Sequence, residues 1–186
     1  MMSDRHFQGN GIRLRAPEPE DLEVMFRFEN ATHVWEMSNT TGPYSRFQLK
    51  QYIEQTQNDL FADRQLRLMI ENGNRQVVGI VDLCSFDPLH NRAEVGIMVD
   101  KSCRRQGIGR NALALLEEHC FRYLGIHQLF AYIAVENLPS RRLFAACGYK
   151  ESAVLKEWAH TFGGGYTDVL VVQLSLIHIS EPTRRS

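Results

Sequence analysis

Residues 93–135 restrict the fold more than any other part of this 186-residue chain, because they predict a strand, a loop, a helix and a second strand in succession. AEVGIMVD is the first strand, and an apolar stripe of Leu113, Leu116, Cys120 and Leu124 marks the helix. QLFAYIAV is a nearly continuous apolar run, which is typical of a buried parallel strand. This order is a βαβ unit and predicts an α/β fold.

The rest of the pattern fits a single domain. A strand, GIRLRA, precedes two helices that are separated by a Gly-Pro break, and Ser45 and Gln48 form a capping box for the second helix. Two strands, QLRLMI and QVVGIVDLCSF, follow as a hairpin joined at Asn72-Gly73. After the βαβ unit, a short helix ends at Gly148 and two strands flank the turn FGGG. We therefore expect one α/β domain over residues 1–174.

The last stretch, SLIHISEPTRRS at residues 175–186, does not continue this pattern. It follows a completed hairpin, and the pattern implies no partner for it. The stretch resembles a translated sequencing-adapter artefact, so we expect a non-native or disordered tail and exclude it from the argument.

Composition excludes several classes of function. Hydrophobic residues at 44% and charged residues at 23% are globular values, and a net charge of -1 does not favour nucleic acid or a membrane surface as a partner. Four scattered cysteines without a C-x-x-C pair predict reduced thiols and a cytoplasmic location. No apolar run approaches the ~20 residues that cross a bilayer. The seven histidines show no metal-binding spacing, so we expect no metal.

The loop after AEVGIMVD has the G-x-G-x-x-A spacing of a dinucleotide site at Gly107, Gly109 and Ala112. Such a site needs the first glycine at the end of the strand and an acid ~20 residues later. Here KSCRRQ separates Asp100 from Gly107, and the acid that closes the next strand, Glu136, comes 29 positions after Gly107. The sequence therefore argues against an NAD site.

A different diphosphate site fits this loop better. Backbone amides of residues 105–110 come at the start of a helix, where unpaired N–H groups attract anions. Gly107 and Gly109 remove side chains that would block a close approach. Positive charge comes from Arg104, Arg105 and Arg110. The alternative is an ordinary strand-to-helix loop with a solvated basic run.

Two motifs resemble the GNAT N-acetyltransferase superfamily. Arg104-x-x-Gly107-x-Gly109 is similar to its acyl-CoA loop, Q/R-x-x-G-x-G/A, and ENLPSRRLFAACGYKE is similar to its later segment, N-x-x-S/A-x-x-L/I-Y/F-x-x-x-G-F/Y. The resemblance covers residues 11–174, and RLRAPEPEDL, HNRAEVGI and GGGYTDVLVVQL look most like the polyamine (spermidine) and ribosomal-protein branch. It implies a single domain with a mixed, splayed β-sheet flanked by helices.

The resemblance also implies acetyl-CoA as co-substrate. The loop amides would bind the pyrophosphate, residues 97–99 would pair with the pantetheine arm, and amides near Met98 and Val99 would stabilise the oxyanion. Asn137 would contact the cofactor arm, cap its helix, or do both. The implied cofactor-binding residues are Ile97, Met98, Val99, Arg104, Arg105, Gln106, Gly107, Ile108, Gly109, Arg110, Asn137, Ser140 and Phe144.

The implied reaction is acetyl transfer to a primary amine by direct attack in a ternary complex. An amine with a pKa near ~10 is almost fully protonated at neutral pH and needs a base. Glu94 matches the strand glutamate that is the base in some members; the alternative is a strand glutamate paired with Arg92 or another cation. Phe144 stands where many relatives have a tyrosine that protonates the leaving thiolate, and Tyr149 matches a packing aromatic.

The acceptor stays open between a polyamine, a peptide N-terminus and a small-molecule amine. Glu29 and Glu36 are acids near the first two helices that would suit a polyamine. A homodimer built through edge strands or the helical segment is an expectation of the family. The alternative to an enzyme is a degenerate GNAT domain that binds acyl-CoA or a protein partner without efficient turnover.

Overall fold

A computed structural model describes residues 6–31 and 40–175, and its strands form one mixed sheet. The strands are β1 Gln8–Gly9, β2 Ile12–Arg15, β3 Leu66–Asn72, β4 Val77–Asp87, β5 Arg92–Val99, β6 Gln128–Ala134, β7 Lys150–His160 and β8 Tyr166–Ser175. Their order across the sheet is β1-β2-β3-β4-β5-β6-β8-β7. Only β5 and β6 pair in parallel among these strands, which confirms the predicted βαβ unit.

Four of the helices begin and end close to the predicted positions, and the short helix Leu60–Asp63 was not predicted. The helices are α1 Leu22–Glu29, α2 Arg46–Gln55, α3 Leu60–Asp63, α4 Ile108–Glu118 and α5 Leu138–Ala146. The Ser45 side chain accepts from the Gln48 backbone amide, and the Gln48 side chain accepts from the Ser45 backbone amide. The predicted capping box is therefore confirmed. The α4 helix continues into a π-helical turn, His119–Tyr123, before Gly125 turns the chain with φ of 67°.

The sheet separates two apolar clusters, because side chains alternate between its faces. On one face α4 and α5 cover the main core, in which Leu113 and Leu116 are fully buried. On the other face α1 and α2 cover a smaller cluster around Met25 and Met69. No helix within the described ranges is long and apolar enough to cross a membrane.

Two predicted boundaries shift. The β3–β4 hairpin is confirmed, but its loop spans residues 73–76, because Asn72 Oδ1 accepts from the amides of Asn74 and Gln76, both at 3.0 Å. Ser175, which we placed in the tail, ends β8 and pairs with Gln128. The remainder of the predicted tail, 176–186, lies outside the described residues.

The sheet splits between β5 and β6. The two strands pair only at Arg92↔Gln128, Ala93↔Leu129 and Glu94↔Phe130. Beyond these pairs β5 runs on to Val99 and β6 to Ala134 without pairing to each other. The predicted splay is therefore confirmed. The carboxyl ends of β5 and β6 are therefore not paired to each other, and the region between them is called the gap below.

Candidate functional site

The glycine loop ends at a helix start with unpaired amides. Gly107 is the N-cap of α4, and no side chain caps this helix. The first helical hydrogen bond runs from the Asn111 amide to the Gly107 carbonyl at 3.0 Å. The amides of Ile108, Gly109 and Arg110 therefore point out of the helix end without an intrahelical partner. This is the arrangement that binds a phosphate oxygen.

We predicted that both glycines of the loop clear space for the ligand, but the structure gives each of them a different role. Gly107 has φ of 77°, and a Cβ there would meet only Asn111 Nδ2 at 4.0 Å, so glycine serves the backbone conformation. A Cβ at Gly109 would lie 3.1 Å from Leu143 Cδ2. Gly109 thus allows α4 to pack on α5. The prediction that its missing side chain clears space for the ligand is wrong, because that side faces protein.

The polar side chains of the loop have different roles: Arg104 and Gln106 donate to backbone carbonyls, whereas Arg105 and Arg110 face solvent. Arg104 Nε donates to the Val99 carbonyl at 3.0 Å, which ties the loop to the end of β5. Arg105, Gln106 and Arg110 are exposed, and the buried Ile108 offers only its amide. The free positive charge beside the unpaired amides therefore comes from Arg105 and Arg110.

The edge of β5 that faces the gap is set by its register with β4. The Asp100 amide donates to the Val78 carbonyl at 2.8 Å, which fixes the alternation of the ladder. By that alternation the Met98 amide faces β4, and the amides of Ile97 and Val99 face the gap. The predicted oxyanion contact from the Met98 amide is therefore wrong, whereas Ile97 and Val99 present the edge that was expected.

Gly79 also shapes this edge, although we did not predict this role from the sequence. A Cβ at Gly79 would collide with the Met98 carbonyl oxygen and lie 3.2 Å from Val99 Cα. Only glycine therefore allows β4 to approach the end of β5 so closely. A glycine inside an apolar strand pattern is the signal that indicates such an approach.

Glu94 lies where the pairing of β5 and β6 ends. It is half-buried and forms the last β5–β6 pair, opposite Phe130. Its Oε2 accepts from the Ser85 hydroxyl at 3.1 Å. Arg92 pairs with Asp87 at 3.2 Å instead, so the alternative that Glu94 is bound to Arg92 is not what the structure shows.

An ion-pair network lies on the same side of the sheet as Glu94. Arg67 donates to both oxygens of Asp82 at 2.8 Å and to Glu29 at 2.5 Å. Burial raises the pKa of Tyr52, whose ring centroid is 5.5 Å from the Arg67 guanidinium. Glu29, which we expected near a polyamine, is therefore already bound to a cation. Glu36 lies outside the described residues.

The α5 segment combines a confirmed cap with a buried ring. Asn137 accepts from the Ser140 amide at 3.2 Å, so it is the N-cap of α5. Phe144 is 2% exposed and meets Tyr149 edge-to-face with centroids 4.9 Å apart. Tyr149 is buried too, which confirms its packing role. The ring of Phe144 thus packs in the core, and its contact with the cofactor stays a prediction.

A buried carboxyl group lies next to this aromatic pair. Glu117 Oε1 and the Tyr149 hydroxyl are neighbours, yet both are buried without a hydrogen-bond partner among the described residues. Burial raises the pKa of Glu117 to about 8 and the pKa of Cys147 to about 11. In the sequence, Glu117 next to Glu118 looks like a solvent-facing glutamate, so no local signal marks it.

Metal ligands do not gather in this part of the molecule. Across residues 6–31 and 40–175, no group of at least three His, Cys, Asp or Glu side chains could hold a metal ion. All four cysteines are free, as predicted.

Comparison with known proteins places the chain in a family. Residues 12–150 match the acetyltransferase (GNAT) domain. The chain therefore belongs to the GNAT family. It is an acetyl-CoA-dependent N-acetyltransferase.

Individual relatives agree with that membership. The spermidine N(1)-acetyltransferase of Vibrio cholerae is 27% identical over 160 residues, which cover 85% of this chain and 89% of the relative. A structure of spermidine N-acetyltransferase from Vibrio cholerae with CoA and spermine has a TM-score of 0.81 at 23% identity and covers 92% of this chain and 100% of its own. Mycobacterium smegmatis RimJ with CoA-disulfide has a TM-score of 0.79 at 24% identity, and the match covers 91% of this chain and 84% of the RimJ chain. Both structures establish the fold.

Proposed function

We propose that this chain transfers the acetyl group of acetyl-CoA to a primary amine bound at the gap, with Glu94 as the base. When bound, acetyl-CoA supplies the acetyl group as a thioester. The observation that carries the proposal is the position of the unpaired α4 amides. They lie at the end of the loop that follows β5, the strand that borders the gap.

The loop and the edge of β5 fit the two polar parts of such a co-substrate. The amides of residues 108–110 would hold the pyrophosphate, and Arg105 and Arg110 would add charge to a ligand that carries several phosphates. The free N–H and C=O groups of Ile97 would pair with an amide-containing arm, as a further strand would. Asn137 and Ser140 would lie beside that arm at the start of α5.

Glu94 would carry out the proton transfer. Its carboxylate would take a proton from the ammonium group of the acceptor, and the freed nitrogen would bond to the acetyl carbon. The C–S bond would break, the new amide nitrogen would lose its second proton to water, and water would return a proton to the thiolate, because position 144 has no hydroxyl. A thiol with a pKa near ~8.5 is a fair leaving group, so this route does not need a tyrosine.

The acceptor is a primary amine: a polyamine, a peptide N-terminus or a small-molecule amine. The named activity of the Vibrio cholerae relative, spermidine N(1)-acetyltransferase, supports the polyamine. Burial of Phe144 without a hydroxyl favours a second candidate, a domain that binds acyl-CoA or a protein partner without efficient turnover. A homodimer and a cytoplasmic location stay predictions.

The cofactor site is tested with a matched pair, Gly107→Asp and Gly107→Asn. Both side chains tolerate a positive φ and have similar shapes, so the pair differs chiefly in charge. We expect calorimetry to show CoA binding at least ~30-fold weaker in the aspartate variant than in the asparagine variant, with the difference shrinking in high salt. Equal affinities in the two variants, or binding of NAD as tight as that of CoA, would overturn the proposed cofactor site.

Turnover is tested separately by CoA release with polyamines, peptide N-termini and aminoglycosides. The proposed enzyme releases CoA with at least one of these amines. If the wild-type protein binds CoA but releases none above the rate of hydrolysis, the second candidate is the correct one.

A further inference from the structure

We propose that Ser85 is a positioning residue for Glu94, held in place by a bulge in β4 that directs its hydroxyl to the carboxylate. The proposal rests on the proposed role of Glu94 as base. It adds to that role the residue that fixes the orientation of the base.

The bulge is visible in the β4–β5 register. Cys84 pairs with Glu94, but the next pair is Asp87 with Arg92, so β4 has one residue more than β5 in this interval. Strand alternation would otherwise place residue 85 on the same face as Leu83, inside the main core. Phe86 occupies that core position instead, and Ser85 is exposed. The extra residue therefore moves the serine out of the core.

The backbone at Ser85 is held in an unfavourable conformation. Its φ is 50°, in the left-handed region that residues with a Cβ rarely adopt. Such outliers persist only where the surrounding structure imposes them, and they concentrate at functional sites. Here the residue that follows Ser85, Phe86, is held in place by two contacts. Its ring meets Phe61 edge-to-face, and its amide donates to the Arg64 carbonyl at 3.2 Å.

The hydroxyl of Ser85 is well placed for a neutral contact with the base. Ser85 Oγ donates to Glu94 Oε2 at 3.1 Å, and within the described ranges this is the one hydrogen bond to the Glu94 carboxylate. The nearby cations are engaged elsewhere: Arg92 with Asp87, and Arg67 with Asp82 and Glu29. A hydroxyl donor fixes one carboxylate oxygen without neutralising the group, so Oε1 stays available to the ammonium of the acceptor.

The test compares Ser85→Ala and Ser85→Gly, which both remove the hydroxyl. Glycine adopts the positive φ without strain, so we expect the glycine variant to unfold at a higher temperature than the alanine variant. If the hydroxyl positions the base, both variants should lower kcat about fivefold at an unchanged Kd for CoA. Both should also move the acidic limb of the pH–rate profile up by about half a pH unit.

Two controls separate positioning from general damage. Ser152→Ala removes another bulge hydroxyl, one that donates to the Val171 carbonyl at 3.0 Å, and should change neither kcat nor the profile. In a Glu94→Gln background, Ser85→Ala should cause no further loss, because the two residues act through one contact. A further loss in that background would overturn the proposal.

The outcomes also distinguish this proposal from the proposed function. A slow Glu94→Gln variant with normal Ser85 variants overturns the positioning role alone. Normal turnover in the Glu94→Gln variant would overturn both the role of Glu94 as base and the positioning role of Ser85. A readout independent of activity is the carboxyl NMR signal of Glu94, assigned by its loss in Glu94→Gln. Both Ser85 variants should change the chemical shift of this signal, whereas Ser152→Ala should not, and an unchanged signal in the Ser85 variants would overturn the proposal.

Discussion

Replacing the buried carboxyl of Glu117 should stabilise the protein at neutral pH and leave it nearly unchanged in acid. Burial raises the pKa of Glu117 from 4.5 to about 8. The folded protein therefore binds this proton more tightly than the unfolded chain does. The stabilisation is fully present below pH 4.5 and is lost as pH rises towards 8. Glu117→Gln removes that loss because the amide does not ionise.

The size of the effect follows from the pKa difference. One unit corresponds to about 1.4 kcal/mol, so the wild-type protein loses about 1 kcal/mol by pH 5 and about 3 kcal/mol by pH 7 relative to the fully protonated state. The other titratable groups near Glu117 do not change their protonation between pH 5 and pH 7. Burial raises the pKa of Cys147 to about 11 and raises the pKa values of Cys120 and Tyr149 well above their usual ranges. Arg110 stays charged throughout.

Urea unfolding between pH 5 and pH 8 measures the effect directly. The difference in unfolding free energy between Glu117→Gln and wild type should grow by about 2 kcal/mol from pH 5 to pH 7. Glu118→Gln is the matched control, because its side chain is 55% exposed and its ion pair with Arg122 is a surface pair. Parallel stability curves for Glu117→Gln and wild type would refute the reasoning, as would a variant that is less stable at pH 7.

Three further predictions follow from the site and the chain end. Glu94→Gln should keep CoA affinity and lower turnover ~100-fold at neutral pH, with partial recovery at high pH; an unchanged pH–rate profile would contradict this. Phe144→Tyr should lower the unfolding free energy by about 1–3 kcal/mol without raising CoA release, because the hydroxyl would enter the core; faster release at unchanged stability would place the ring at the gap. Deleting residues 176–186 should leave the thermal midpoint unchanged, and a drop above ~4 °C would show that the segment is structural.

The features that sequence predicted well are those with a local signal. The helical stripe of α4, the apolar run of β6 and the capping box at Ser45 depend on residues within a few positions of each other. Contacts between distant segments have no such signal. The packing of Gly109 on Leu143 and the pairing of Glu29 with Arg67 join separate elements, so they emerged only from the structure. The bulge at Ser85 was missed because periodicity assumes an unbroken register.

The split between β5 and β6 has a mechanical consequence. Strands β1–β5 and strands β6–β8 are joined edge to edge by only three backbone pairs, and the main core on one face includes residues of both parts. A bound arm that bridges the free edges of β5 and β6 would complete the ladder and act as a missing strand. Amide hydrogen exchange at residues 95–99 and 131–134 should then slow on CoA binding, while exchange within the β3–β4 hairpin stays the same. The co-substrate would thus also hold the two parts of the sheet together through its hydrogen bonds to β5 and β6.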